Sequence, residues 1–164
     1  SKGEYNGANN TQDDISTIAS VVGGGTVSAG FVNTSNSTTP IVLGGSLLAS
    51  DVISNSTTAR YFAVNVVSAG SLTLDVRVPQ YGGLNAAIEV RDASGLTVLG
   101  KSNNPTDIST RIQTAVKPGK YIVKVYGEGD LDPKTSGYSA YGSIGSFVLA
   151  GTLSSSVVNS GTLK

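Results

Sequence analysis

The sequence contains no cysteine, histidine, methionine or tryptophan. Those absences exclude a disulfide framework, thiol nucleophiles, histidine-based triads, Cys/His zinc sites and haem ligation through these residues. Charge is scarce as well. Charged side chains occupy 13% of the 164 positions, and 11 basic residues cancel 11 acidic ones. A neutral chain has no basic footprint for nucleic acid, so no nucleic-acid partner is expected. No apolar run approaches the ~20 residues of a membrane-spanning helix, so membrane insertion is not expected either. The chain opens at Ser1 without a basic-then-apolar leader, and any signal peptide is therefore expected to have been removed.

Glycine, serine, threonine and asparagine fill the space that charge leaves. This composition points to turn-rich, all-β structure. The distribution of charge is uneven. No charged residue occurs from Ile15 to Ser50 or from Thr135 to Leu163, whereas 17 of the 22 charges lie between Asp51 and Lys134. A soluble surface normally scatters its charge, and near-zero net charge favours association. Blank stretches on both sides of a charged middle imply that the ends are covered by a partner protein or by glycan; the plainer alternative is a Ser/Thr/Gly surface that water solvates well enough. Asn9, Asn33, Asn36 and Asn55 each open an Asn-X-Ser/Thr acceptor sequence. They are the expected glycosylation sites, set against an Asn- and Thr-rich background in which chance matches occur.

The middle of the chain alternates with a period of two, the signature of half-buried strands. Leu72, Leu74, Val76 and Val78 face one way while Thr73, Asp75 and Arg77 face the other. Phe62, Val64 and Val66 form an apolar set before them, with Ser68-Ala69-Gly70 as a turn, and Ala86, Ile88 and Val90 form one after them. Asp92-Ala93-Ser94-Gly95 turns into Leu96–Leu99, and Ile108 and Ile112 mark a further strand. Lys117-Pro118-Gly119-Lys120 is a turn that leads to Tyr121, Val123 and Val125, and Phe147 with Leu149 marks the last core strand. Ile15–Val22 and Thr26–Val32 read as weaker strands on either side of Gly23-Gly24-Gly25, and Ile41–Leu43 and Leu47-Leu48 are apolar enough to be buried. The fold class expected is an all-β, antiparallel, jelly-roll-like β-sandwich with an extended N-terminal arm. Residues 1–50 form the arm and peripheral strands, 51–153 the sandwich and 154–164 a tail.

Tyr61-Phe62, the Leu72–Val78 strand, Leu84–Ile88, Pro118-Gly119-Lys120-Tyr121 and above all Gly137–Phe147 carry a resemblance. The stretch from Tyr61 to Leu153 resembles the pre-peptidase C-terminal β-sandwich of secreted bacterial and algal metallopeptidases. Lys2-Gly3-Glu4-Tyr5, Gly7–Asn10 and Asp13-Asp14 resemble the junction that closes the catalytic domain in such proteins. The resemblance implies a sandwich fold and an extracellular location. It transfers no active site, because the zinc-binding His-Glu-x-x-His helix is absent, and Ala29–Thr34 stands where those proteins usually carry an acidic Asp-Asp-His turn.

Candidate chemistry is sparse. Glu128, Asp130 and Asp132 could supply oxygen ligands to Ca²⁺, although the spacing of an EF-hand loop is missing; a solvated turn is the alternative. Asp13-Asp14 with Asn9 and Asn10 is a second oxygen-rich patch. No nucleophile–base set stands out, so no enzyme activity and no obligatory cofactor are expected. Tyr81, Tyr126, Tyr138 and Tyr141 could line a sugar or peptide groove, or simply pack their rings and tie down their hydroxyls. Two functions fit. The first is a secreted structural protein that assembles with copies of itself into a fibre or matrix by strand complementation, with Ile15, Ile18, Val21, Val22, Val27 and Phe31 as buried anchors and glycan or other matrix protein around it. The second is a detached accessory domain that binds protein substrate or polysaccharide.

Overall fold

The computed structural model describes Gly7 and residues 41–43, 46–104 and 106–155. Among these residues nine strands follow in order: β1 (Ile41–Leu43), β2 (Ser46–Ile53), β3 (Ala59–Val66), β4 (Gly70–Arg77), β5 (Ala86–Arg91), β6 (Val98–Asn103), β7 (Thr110–Val116), β8 (Gly119–Gly127) and β9 (Gly145–Ser155). They build two sheets, one ordered β1-β3-β8-β5-β6 and the other β2-β9-β4-β7. All pairings are antiparallel except β1 with β3, a three-residue parallel contact. The chain is therefore an all-β, antiparallel sandwich.

Alternation explains why these segments are strands and which way they face. Phe62, Val64 and Val66 of β3, Leu72, Leu74 and Val76 of β4, Ile88 and Val90 of β5, Val123 and Val125 of β8, and Phe147 and Leu149 of β9 fill the space between the sheets. The Phe62 and Phe147 rings meet edge to face across that space, with centroids 6.2 Å apart at 90°, a geometry that aligns one ring's positive edge with the other's negative face. Turn chemistry fits the chain reversals. In Asp92–Gly95 the Gly95 N–H donates to the Asp92 carbonyl at 3.0 Å, and Gly95 has φ +75°, a region where a side chain is strained.

The expected turns at Ser68–Gly70 and Lys117–Lys120 carry the chain from sheet to sheet, because β3 and β8 lie in one sheet while β4 and β7 lie in the other. Several expectations need correction. Leu48 is not buried: strand parity turns it to the outer surface, 76% exposed, and it is Ala49 that enters the core. Ile108 precedes β7 rather than lying within it. The boundary drawn between residues 50 and 51 falls inside β2, which pairs with β9 along its whole length, and β9 itself continues to Ser155. Ile15–Val22, Thr26–Val32 and the tail beyond Ser155 lie outside the described residues.

Candidate interaction surfaces

Among the described residues the sheet order leaves four strands at edges: β1 and β6 in one sheet, β2 and β7 in the other. β6 and β7 lie on the same flank. The Ser102 and Thr110 hydroxyls are 3.0 Å apart there, and a Cβ at Gly100 of β6 would stand 3.0 Å from Ile112 Cδ1 of β7. β1 and β2 occupy the opposite flank, next to β3. Among the described residues no strand pairs with the outer edges of β6 and β7. An unpaired edge is a template for another strand, and proteins usually guard it with charge, proline or a bulge. β7 reads Thr-Arg-Ile-Gln-Thr-Ala-Val and contains no proline. Its register with β4 is unbroken. Its one charge, Arg111, faces Asp75 at 3.5 Å across the β4–β7 pair. Beside it, Leu96 ahead of β6 and Val98 and Leu99 at its start are exposed.

The opposite edge is guarded. Asp51 lies on the inward parity of β2, between Ala49 and Ile53, and is 4% exposed. Arg60, at the corresponding inward parity of β3, brings Nε within 3.2 Å of Asp51 Oδ1 and donates to the Val52 carbonyl at 2.7 Å. The Val52 N–H donates to Asp51 Oδ1 at 2.7 Å, while Asp51 Oδ2 is buried without a partner. An inward-facing ion pair thus occupies the β2 edge, and one of its backbone acceptors is already in use.

The outer face of the five-stranded sheet carries a second polar network. Glu89 of β5 is paired across the sheet with Lys101 of β6 and Lys124 of β8. Its carboxylate accepts from Arg91 and from the Tyr126 hydroxyl at 3.0 Å. Burial opposes its ionisation, but hydrogen bonds from Arg91 and Tyr126 and the charges of Lys124 and Arg91 outweigh that and hold its pKa below the ordinary value. Lys124 Nζ stands 4.2 Å from the centre of the Tyr126 ring, which adds an attraction between cation and ring face. Burial first, and then the neighbouring carboxylates, push the Tyr126 hydroxyl up. Lys101 donates to Glu128 Oε1 at 2.8 Å, and that bond is the main reason its pKa is raised. The Lys101, Lys124 and Tyr126 side chains sit in the registers flanking Ala87 and Glu89, and both of those outward positions are buried. The charged groups of this face are held chiefly by one another, while Glu128 Oε2 is buried without a partner.

The sequence-predicted oxygen ligands have other partners. Glu128 binds Lys101, Asp130 is held in a backbone bridge with Tyr138, and Asp132 Oδ1 accepts the Lys134 N–H at 2.9 Å inside a turn. Among the described residues no three His, Cys, Asp or Glu side chains converge as a metal site. Tyr126 belongs to the polar network, whereas Tyr81 is 95% exposed and Tyr138 43% exposed at the end of the sandwich formed by the β4–β5 and β8–β9 connections. Tyr138 accepts from Asn85 Nδ2 at 3.0 Å, and Leu131 in the same connection is 72% exposed. Of the expected glycosylation sites, Asn55 lies in the exposed β2–β3 turn, where its Oδ1 accepts from the Thr57 N–H and Thr57 hydroxyl at 3.0 and 2.8 Å. Asn9, Asn33 and Asn36, the patch at Asp13-Asp14, and the anchors Ile15, Ile18, Val21, Val22, Val27 and Phe31 lie outside the described residues. The Asp51–Arg60 pair escaped sequence reasoning, although its signal was there: both residues share the parity of core positions, Ile53 and Phe62.

Among the described residues no helix is long and apolar enough to cross a membrane. No family model matches the sequence, and no curated protein is significantly similar to it. Among solved structures, the chain is similar to the pre-peptidase C-terminal domain of a collagenase from Bacillus anthracis, at 17% identity and TM-score 0.44, over 70% of this chain and 92% of that one. It is similar to PliG of Aeromonas hydrophila, a periplasmic inhibitor of g-type lysozyme, at 14% identity and TM-score 0.48, over 71% and 96% of the two chains. A carbohydrate-binding module of Cellvibrio mixtus lichenase 5A aligns at 18% identity and TM-score 0.32, over 65% and 70%.

Proposed function

We propose that this chain is a secreted, non-enzymatic structural protein that assembles with copies of itself by strand addition, with glycan on its exposed turns. One observation carries the reading. Among the described residues, the sandwich leaves β7 as a seven-residue edge with no proline and with one charge, Arg111, that faces Asp75. The same chain contains a charge-free stretch from Ile15 to Ser50. Backbone groups at such an edge gain hydrogen bonds from an incoming strand, and an arm without charge brings apolar side chains at no cost of ion desolvation. Contacts of this kind join two different surfaces, so they propagate rather than close. Light scattering and negative-stain microscopy of the purified chain test it. Filaments or large oligomers are expected, and deletion of residues 1–32 or the single change Val27→Asp is expected to abolish them while circular dichroism retains the sandwich signal. A wild-type chain that stays monomeric at all accessible concentrations would refute it.

A second reading has its own observation. Tyr81, Leu131 and Tyr138 are exposed together at one end of the sandwich, a surface suited to stacking on a sugar ring or a peptide. A monomer with glycan or peptide affinity that Tyr81→Ala removes would favour a binding module over a fibre.

A further inference from the structure

We infer that assembly is polar: the β6–β7 flank of one copy accepts residues 15–32 of a second copy, and the β1–β2 flank does not accept them. This rests on the self-assembly reading and specifies which surface it uses. The four edges differ in a way that bears directly on acceptance. β3 is already joined by β1 over Val64–Val66. β2 carries the inward Asp51 with one oxygen unpartnered, and Arg60 holds its Val52 carbonyl. A strand laid against β2 would have to displace that guanidinium and strand the carboxylate further from water, which is unfavourable for a buried charge. β7 has neither device; β6 beside it carries Lys101, tied to Glu128, and an irregular register with β5 near Arg91, and the flank presents Leu96, Val98, Leu99 and Ala115 at its surface.

The arm joins the sandwich on the flank opposite the proposed acceptor. Residues 8–40 reach the described structure at Ile41, the start of β1. That strand is at the opposite end of its sheet from β6. β6 of its own copy lies roughly 19 Å away, over four strand spacings of ~4.8 Å. Eight extended residues, at most ~26 Å long, can bridge that span, so the choice of a second copy rests on the self-assembly reading and is decided by the cross-linking test. A neighbour set side by side places its β6–β7 flank beside the point from which the arm departs. Donor flank against acceptor flank is a heterologous contact, and repetition of it makes a filament with a direction.

The absence of native cysteine makes the test clean. Two full-length double variants are compared under mild oxidation: Val27→Cys with Ala115→Cys, and Val27→Cys with Ser50→Cys. Ala115 lies on β7 and Ser50 on β2, and both are exposed on the outer surface of the same sheet. The expected result is a ladder of disulfide-linked multimers from the Ala115 pair and monomers from the Ser50 pair. A ladder from the Ser50 pair alone, or from both equally, overturns the polarity while leaving self-assembly intact. A closed monomer without free thiols from the Ala115 pair shows the arm in cis and overturns the proposal as well. Absence of polymer in the wild type, read by light scattering, overturns the self-assembly reading itself. Lysines at the same edges give a second measurement. Gln113→Lys with Ala115→Lys should raise the concentration at which polymer appears by about tenfold or more, whereas Leu48→Lys with Ser50→Lys should leave it within about twofold. Equal effects from the two pairs would defeat the inference.

Discussion

Replacing Arg60 by methionine tests the guarded edge directly. The change keeps most of the side-chain volume but removes the guanidinium that stands 3.2 Å from Asp51 Oδ1 and 2.7 Å from the Val52 carbonyl. The Asp51 side chain is 1% exposed and the Arg60 side chain 21%. The variant would therefore hold a buried carboxylate whose one remaining hydrogen bond among those described comes from the Val52 N–H. Breaking a buried pair in this way costs ~3–5 kcal/mol. The partial exposure of Arg60 places the expectation at the lower end, about 3 kcal/mol. For a domain of this size that is a fall in Tm of roughly 6–12 °C. Replacing both partners, Asp51→Leu with Arg60→Met, removes the stranded charge as well as its partner, and stability should return to within about 1 kcal/mol of the wild type or exceed it. Urea denaturation of the four proteins, with m held constant across the set, measures the coupling. The reasoning fails if Arg60→Met leaves the midpoint unchanged, or if the double variant loses as much as the two single variants summed. The double variant also frees the β2 edge, so in the cross-linking experiment it should begin to yield multimers through Ser50.

Other outcomes follow from the same structure. Leu74→Ala and Val76→Ala, both at fully buried positions, should each cost about 2–4 kcal/mol through lost burial and cavity formation; an unchanged denaturation midpoint in both would show that the strand face is misassigned. The Ser94 hydroxyl, followed by Thr97 and the Leu96 N–H, depresses Asp92 from 3.8 to about 2, so its contribution to stability is present above pH 4 and is lost as pH falls through about 2. Thermal melts between pH 5 and pH 2 should show that loss, and Asp92→Asn should flatten it. Mass spectrometry of the native protein should find glycan on Asn55, with the added mass removed by Asn55→Gln; an unmodified Asn55 peptide would refute it. Casein, peptide and polysaccharide panels, with and without Zn²⁺ or Ca²⁺, should give no turnover; specific turnover that survives repurification and disappears in a point variant would overturn the non-enzymatic reading.

Strand identity was legible in the sequence because it depends on neighbours two residues apart. The alternation of Leu72, Leu74 and Val76 with Thr73, Asp75 and Arg77 is enough to make β4 a half-buried strand, and the same arithmetic located β3, β5, β8 and β9. Composition likewise removed whole classes of chemistry before any coordinate was needed. Which strands became neighbours was decided at the tertiary level. β3 and β4 are joined by a short turn, yet they belong to different sheets, because both bury one apolar face and the core between the sheets is filled by bringing those faces together. That choice made β6 and β7 edges and placed them on one flank. It also set Arg60 against Asp51, nine residues earlier in the chain but in the opposite sheet. Apolar periodicity is a property of a segment. An open edge or a guarded one depends on what lies beside the segment, and only the folded chain determines that.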